Sequence, residues 1–451
     1  MASIDPDVGQ MAAPNTQVLD GGGPVTGKLV TDYAGDKMHM FKLAFRTGAL
    51  TVLTLGFYRF WMKTKLRRYY WSSIRPGGVP LEYMGQGVEK LLGFLVAVVV
   101  MAFYIGVVNL ILMFASFAIF HGNVTAYVLS FIGVLPIVFF AQYRARRYIL
   151  ARTRWRGIRF GLEPGAWGYS FRALGYWLLA IGSLGLLWPL KTFRLEKYRT
   201  DNTYFGDQKL HQGGRFTMLY RPFLQVLIPG AISLGLVGWF FVASMTGVTE
   251  FGLFEIINAL DEVSESNAGY GFLRAQLLHL ITVPWMFVGM LHYSVQAFRI
   301  MAAHKSAGGI RFEAKPRTGR MVWIYMSGFT LSYIVLVLGL TMMILVAVIL
   351  LMISGQGGLF EDLVVKAGAG QAFNAIPLWL TTAISIVIYF TIFILWQVFQ
   401  HVFVTLPRAR HYAETLTLHG TDQLGAIRQR ARDEFAEAEG FADALDLGAA
   451  I

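Results

Sequence analysis

Residues 53–70 read LTLGFYRFWMKTKLRRYY, and residues 183–200 read SLGLLWPLKTFRLEKYRT. Each stretch gives a Leu-Gly pair, an aromatic turn with a Trp, and then a basic helical segment carrying a Tyr near its end. Each belongs to an apolar block that is a poor membrane span. The block at about 41–62 has only Thr47 through Tyr58 between Arg46 and Arg59. The block at 171–190 is interrupted by Gly175, Gly182, Gly185 and Pro189. A helix needs roughly 20 apolar residues to cross the hydrocarbon core.

Six other blocks meet that length: about 91–120, 124–142, 222–244, 272–298, 321–353 and 376–405. The whole chain agrees with them. Of its 451 residues 55% are apolar and 15% charged, against about 25% charged in a soluble domain, and mean hydropathy is +0.51. Disorder, a collagen-like repeat and an ordinary soluble enzyme are excluded. No block alternates apolar and polar residues, so barrel strands are excluded as spans.

Loop charge orients the helices. Segments 62–90, 143–170, 191–221 and 299–320 are strongly basic, whereas 245–271 holds Glu250, Glu255, Asp261, Glu262 and Glu265 and no base. The positive-inside rule places the four basic segments in the cytoplasm. If block 171–190 spanned, its two basic flanks would lie on opposite sides. A re-entrant segment that dips in and returns avoids this, and block 41–62 is read in the same way. An eight-span alternative puts one basic loop outside. An N-out first span also stays open, because residues 1–40 carry more acids than bases.

The Leu-Gly-aromatic-basic pattern is an internal repeat. A Gly-punctuated stretch follows each copy, GGVPLEYMGQG at 77–87 and FGDQKLHQGGR at 205–215, and Gly-Ile-Arg-Phe recurs at 157–160 and 309–312. Gly among alternating apolar residues predicts short β-hairpins at the membrane surface. Leu424, Ile427, Ala431, Phe435, Ala438, Phe441 and Leu445 recur at helical spacing and predict an amphipathic C-terminal helix. The expected architecture is an all-α polytopic membrane protein. It has six transmembrane helices, two re-entrant or interfacial helices, small cytoplasmic β-hairpins and that C-terminal helix. Residues 1–40 form a cytoplasmic segment, 41–405 the membrane domain (repeated parts 41–142 and 169–298, plus 321–405), and 406–451 a cytoplasmic tail.

Leu55-Gly56-Phe57-Tyr58, Trp61, Arg67, Arg68 and Tyr69, followed by a Gly hairpin, resemble the YjgN-like family of bacterial inner membrane proteins. Phe41, Gly157–Phe160 and Gly309–Phe312 agree, and the resemblance covers most of residues 30–420. It implies a multi-pass bacterial inner membrane protein with basic cytoplasmic loops and both termini in the cytoplasm. The family is a domain of unknown function, so it implies no catalytic or binding residue. It also points to a membrane-associated metallopeptidase as a partner.

The chemistry expected from residues is sparse. There is no cysteine, which removes disulfides, thiolate metal sites and cysteine nucleophiles. The nine histidines include no His-Glu-x-x-His, and His411 and His419 are eight apart beside a turn. No cofactor and no metal site is expected. No nucleophile elbow and no P-loop pattern occurs, so no enzyme activity is expected. The charge comes without a nucleic-acid-binding module.

The expected function is a non-enzymatic transporter or channel-like protein for a small or lipid-like anionic ligand. The alternative is an anionic-lipid-binding scaffold or partner of a membrane protease. Short interrupted segments at matching repeat positions point to a binding site. The candidate ligand residues are therefore Gly56, Trp61, Arg67 and Arg68 in one segment and Gly185, Trp188 and Arg194 in the other, joined by His279 within a span. The competing reading of both segments is an interfacial brace, since Trp favours the headgroup level. Because native cysteine is absent, an introduced cysteine in segment 62–90 should be labelled only from the cytoplasm, and one at Ser264 only from outside. Labelling of the first from outside would refute this topology.

Overall fold

The computed structural model describes residues 27–120, 123–246, 267–353 and 378–430. The acidic segment 245–271 lies largely outside them, and the Gly-rich 354–375 entirely so. Each basic loop supplies two strands; in three loops these pair as a hairpin, and in the first, residues 74–83, they pair only with other strands. β2 (Ile74–Pro76) leads to β3 (Leu81–Tyr83), β4 (Thr153–Trp155) to β5 (Ile158–Leu162), β6 (Thr203–Phe205) to β7 (Gln208–Gln212), and β8 (Lys305–Ala307) to β9 (Ile310–Ala314). The last three close through two-residue turns, with Trp155 opposite Ile158, Phe205 opposite Gln208 and Ala307 opposite Ile310. Arg156 and Gly157 both take positive φ, 51° and 78°, the geometry that lets a two-residue turn follow the strand twist.

The hairpins are not separate, as the sequence reading has them. β1 (Lys28–Tyr33) near the start of the chain pairs with β10 (Leu416–His419) near its end, Lys28 opposite His419. Together they make a fifth hairpin from distant segments. All five join in one antiparallel sheet of order β2-β1-β10-β9-β8-β7-β6-β5-β4-β3. Its two ends are consecutive strands, so the sheet is a nearly closed ring. The seam falls at Pro76-Gly77-Gly78-Val79-Pro80, where two prolines without N–H groups interrupt the donors a ladder needs.

Strand register puts one apolar set on one face of the sheet. Leu81 pairs with Trp155, Phe160 with Phe205, and Phe312 and Leu29 with Leu418. These side chains, drawn from all five hairpins, pack in a single cluster, which requires them to face the inside of the ring. Leu424 and Ile427 join the same cluster. They arrive there through a 3₁₀ turn, Thr421–Ala426, followed by extended backbone at Ile427, rather than in the expected amphipathic helix. The rest of that predicted helix lies outside the described residues. Residues 423–430 run across the hairpin turns. Gln423 accepts from Gly309 N at 3.0 Å, Arg428 O from Asp207 N at 2.9 Å, and Gln429 from Arg159 N at 2.8 Å.

Between hairpins the chain always leaves and returns as a helical pair: α1 (Lys37–Leu53) with α2 (Arg59–Ser73), α3 (Gly87–Phe120) with α4 (Asn123–Ala151), and α5 (Ala166–Gly182) with α6 (Trp188–Asp201). The others are α7 (Tyr220–Thr246) with α8 (Asn267–Ala303), and α9 (Thr318–Ile353) with α10 (Leu378–Phe399). The last continues through a π-helical turn, Gln400–Thr405, into α11 (Leu406–Glu414). The strands of all four basic loops belong to one sheet, so these loops share one face. The pairing of β1 with β10 brings the two ends of the described chain to that face as well.

The two odd apolar blocks become the short pairs α1–α2 and α5–α6, and their tips are copies. Leu55 and Leu184 have φ of 52° and 51°, and Gly56 and Gly185 have 94° and 87°. Gly56 N donates to Thr51 O and Gly185 N to Ala180 O, both at 2.7 Å. This is a helix stop closed by a left-handed glycine. At 1.5 Å per residue these helices are roughly 21–26 Å long, short of the roughly 30 Å hydrocarbon core.

Four helical segments among the described residues are long and apolar enough to cross a membrane: Phe216–Gly238, Leu278–Ala303, Thr318–Met343 and Ile388–Glu414. The sequence reading expects six. In α3 the apolar stretch identified is the shorter Gly106–Ala115. The protein is thus mostly helical, with a ten-strand sheet that the all-α expectation did not include. If the ring closes through β1 and β10, cysteines at positions 28 and 419 should form an intramolecular disulfide on mild oxidation, detected as a gel-mobility shift reversed by reductant. A cysteine pair at 28 and 209, on strands far apart in the sheet order, should not.

Candidate functional site

The five hairpins carry a repeated device at the end of the preceding helix. Six residues before each first strand stands a base: Arg68, Arg147, Lys197, Arg299 and Arg410. Arg68 donates to Gly85 O at 3.0 Å, Lys197 to Gln212 O at 2.6 Å and Arg410 to Gly35 O at 2.9 Å. Each of these carbonyls lies at or just after the end of the second strand, where the chain turns into the next helix. Arg147 is engaged too. One position later, Tyr69 binds Asp36 N at 2.6 Å, Tyr198 donates to Gly165 O at 3.0 Å, and His411 Nε2 accepts from Arg317 N at 2.9 Å. Since Nε2 is an acceptor, the ring proton of a neutral His411 is on Nδ1.

The fourth unit keeps the backbone part of the scheme: Lys315 N donates to Thr415 O at 3.1 Å, as Ala34 N does to Ser73 O, Met84 N to Arg152 O, Glu163 N to Asn202 O and Gly213 N to His304 O. It departs at its base. Among the described residues, Arg299 makes no carbonyl bond of the kind its counterparts make. It lines a cleft of 630 Å³ together with Gln296, Lys315, Arg317, Arg320, His411 and Glu414. Arg299, Lys315, Arg317 and Arg320 face one carboxylate, Glu414. Lys315 is held at 2.7 Å by Glu313 and Glu414 lies 3.8 Å from Arg410, so the three arginines of the cleft carry no ion pair among the described residues. Thr318 opens α9, and the free N–H groups of its first turn add positive potential at the cleft. The arrangement can hold a phosphate or carboxylate.

A second cavity of 410 Å³ adjoins the first, and Arg320 and His411 line both. Its wall on α9 is Trp323, Ile324, Ser327, Gly328 and Leu331, one stripe at three- and four-residue spacing. The opposite wall is Phe403, Leu406 and Pro407, with Lys37 and Arg410 also lining the slot. Pro407 has no N–H for the Phe403 carbonyl, and the helix widens into a π turn there. A side chain at Gly328 would meet that carbonyl at 2.6 Å, so the glycine lets the two helices approach at this level.

The residues expected to bind ligand fall in three places. Gly56, Trp61, Arg67 and Arg68 lie in the α1–α2 pair, Gly185, Trp188 and Arg194 in α5–α6, and His279 in α8. The pair α3–α4 separates the two short pairs, since α2 packs on α3 and α5 on α4. Several of these residues have structural partners. Arg67 is buried between Trp71 and Tyr83 and donates to the Tyr83 hydroxyl at 3.3 Å. Trp61 packs on Gly87. Trp188 lies with Trp177 against the buried Lys191 ammonium, 3.1 and 3.6 Å from the ring centres, and burial lowers that lysine's pKa to about 8. Arg194 is exposed. In the sequence the cleft arginines belong to the basic segment 299–320, which is read for topology and, with the other basic loops, as a grip for anionic headgroups. The available signal was the α9 stripe from Arg320 to Leu331, an arginine followed by an aromatic, small and aliphatic line on one helix face.

A family model described as a bacterial protein of unknown function, DUF898, matches residues 28–444. The chain belongs to this family. The match begins at Lys28, the first residue of β1, so the DUF898 region includes both strands that close the ring and both cavities. No curated protein and no solved structure matches the chain.

The repeat analysis separates two arginines at equivalent positions. Arg68→Gln should lower the thermal midpoint, because it removes a charged hydrogen bond worth about 1.5–3 kcal/mol. Arg299→Gln should leave the midpoint within error. Equal losses in a thermal-shift assay would show that Arg299 is structural.

Proposed function

We propose that this DUF898 protein is a bacterial inner membrane protein that binds an anionic ligand in the cleft between α8, α9 and α11, without transforming it. The observation that carries this reading is the unpaired charge: Arg299, Arg317 and Arg320 converge with the first turn of α9 on a cleft whose single carboxylate is Glu414. In this reading the sheet faces the cytoplasm, as the positive-inside rule requires of the basic loops. The pair α3–α4 crosses the membrane with the four apolar segments, giving six spans. The short pairs α1–α2 and α5–α6 insert their exposed apolar tips, Leu55 and Leu184 among them, and return. A transport path between these two pairs has no support, because α3–α4 stands between them. The binding reading is the one retained.

The test uses glycerol phosphate as the probe and isothermal titration of the purified full chain in detergent. Saturable binding is expected. Arg299→Gln and Arg320→Gln should each weaken it about tenfold, roughly 1.4 kcal/mol, while Lys209→Gln on the sheet's polar face should not. Absence of saturable binding, or equal weakening by all three, would overturn the reading.

A further inference from the structure

We infer that the ligand of the cleft is an anionic phospholipid, with its phosphate among the cleft arginines and an acyl chain in the slot between α9 and the π turn. The inference rests on the reading of the cleft as an anion site and adds the class of ligand. Its basis is adjacency. The cationic cleft and the apolar slot are neighbours, because Arg320 and His411 line both. A ligand seated on Arg320 is therefore next to the slot.

The slot fits hydrocarbon. From Arg320 to Leu331 the stripe on α9 runs for roughly 16 Å at 1.5 Å per residue. The polar side chain along it below Arg320 is Ser327, and its hydroxyl is occupied by Trp323 O at 2.6 Å. Nothing on that wall competes for water. Its charged lining, Lys37, Arg320 and Arg410, comes from the first turn of α1, the first turn of α9 and α11. A chain with one anionic end is complementary to this distribution, and a wholly soluble anion leaves the slot unused.

The slot also opens sideways. It lies on Thr318–Met343, one of the segments apolar and long enough to span. Trp323 is 69% exposed and Leu331 42% exposed, so the outer rim of the slot faces whatever surrounds the helix. For a helix in a bilayer that is lipid. Trp323 sits just below the charged end, where an indole prefers the headgroup level. A lipid could enter from the bilayer without leaving it. Basic pockets between membrane helices on the cytoplasmic side are a known way of holding anionic headgroups.

The experiment places the full chain in vesicles of phosphatidylcholine containing a minor fraction of phosphatidylglycerol brominated on its acyl chains. Quenching is assigned to Trp323 by difference from Trp323→Phe. Brominated phosphatidylglycerol should quench Trp323 several-fold more than brominated phosphatidylcholine at the same fraction, and Arg320→Gln should remove the preference. Ser327→Trp fills the slot without touching the cleft. It should abolish lipid preference, read from displacement of radiolabelled phosphatidylglycerol in detergent, yet leave glycerol phosphate binding unchanged. Equal quenching by the two lipids, with glycerol phosphate still bound, would overturn the lipid inference and leave a soluble anion as the ligand. Loss of both would overturn the anion reading itself.

Discussion

The structure depends on closure of one sheet by the two ends of the described chain. Each strand has only three to six residues, and an isolated hairpin of that size is marginal in water. Arranged as a ring, every hairpin except the one at the seam is paired within itself and on both sides. The exposed edges are confined to the proline-bracketed turn between β2 and β3. The apolar faces of all five hairpins then meet inside, and Leu424 and Ile427 complete that core. Closure also explains the helices. A chain that must return to the same ring after every excursion can leave only as a pair.

Five returns give five equivalent positions around the ring, and their residues are not used equally. A base at the end of the incoming helix is usually consumed by a carbonyl just beyond the hairpin, as at Arg68, Lys197 and Arg410. This fixes the junction between sheet and bundle. At the fourth hairpin the base, Arg299, makes no such bond among the described residues and lines a cleft instead. A binding site on a repeated scaffold needs one unit freed from the common structural task, and this is the unit that meets the condition. A buried ion pair helps to hold the neighbouring unit in place. Glu196 of α6 receives Lys305 at 2.7 Å and Arg199 at 2.9 Å. Its burial alone would raise its pKa, but Lys305, Arg199 and Arg146 outweigh that and hold it well below the usual carboxylate range.

Much of the fold could be read before the coordinates. The interrupted blocks around Gly56 and Gly185 were legible as segments that turn back, because a left-handed glycine and a short apolar run are local properties. The hairpins at Gly157 and Gly309 were legible for the same reason. What was not legible was their union. Strand pairing between β1 and β10 links residues 28 and 419, and no local pattern in KLVTDY or LTLH names the other as its partner. The helical spacing around Leu424 and Ile427 misled, since a 3₁₀ turn and an extended residue can present the same two apolar side chains to a core.

The sequence by itself determined the long apolar helices fit to cross a membrane, the basic loops between them, two short turned-back segments and a repeat. Hydropathy, loop charge and glycine spacing act over a few residues and can be read in order along the chain. Only the tertiary structure decided which bases are spent and which are available. Arg67 and Arg68 stand in the most conspicuous basic run, yet both are engaged with aromatic rings or a carbonyl. Arg299 at the end of α8 and Arg320 at the start of α9 bound the basic segment 299–320 and line the cleft. A cation's availability depends on the acceptors that folding brings within hydrogen-bond reach of it, and those come from distant parts of the chain.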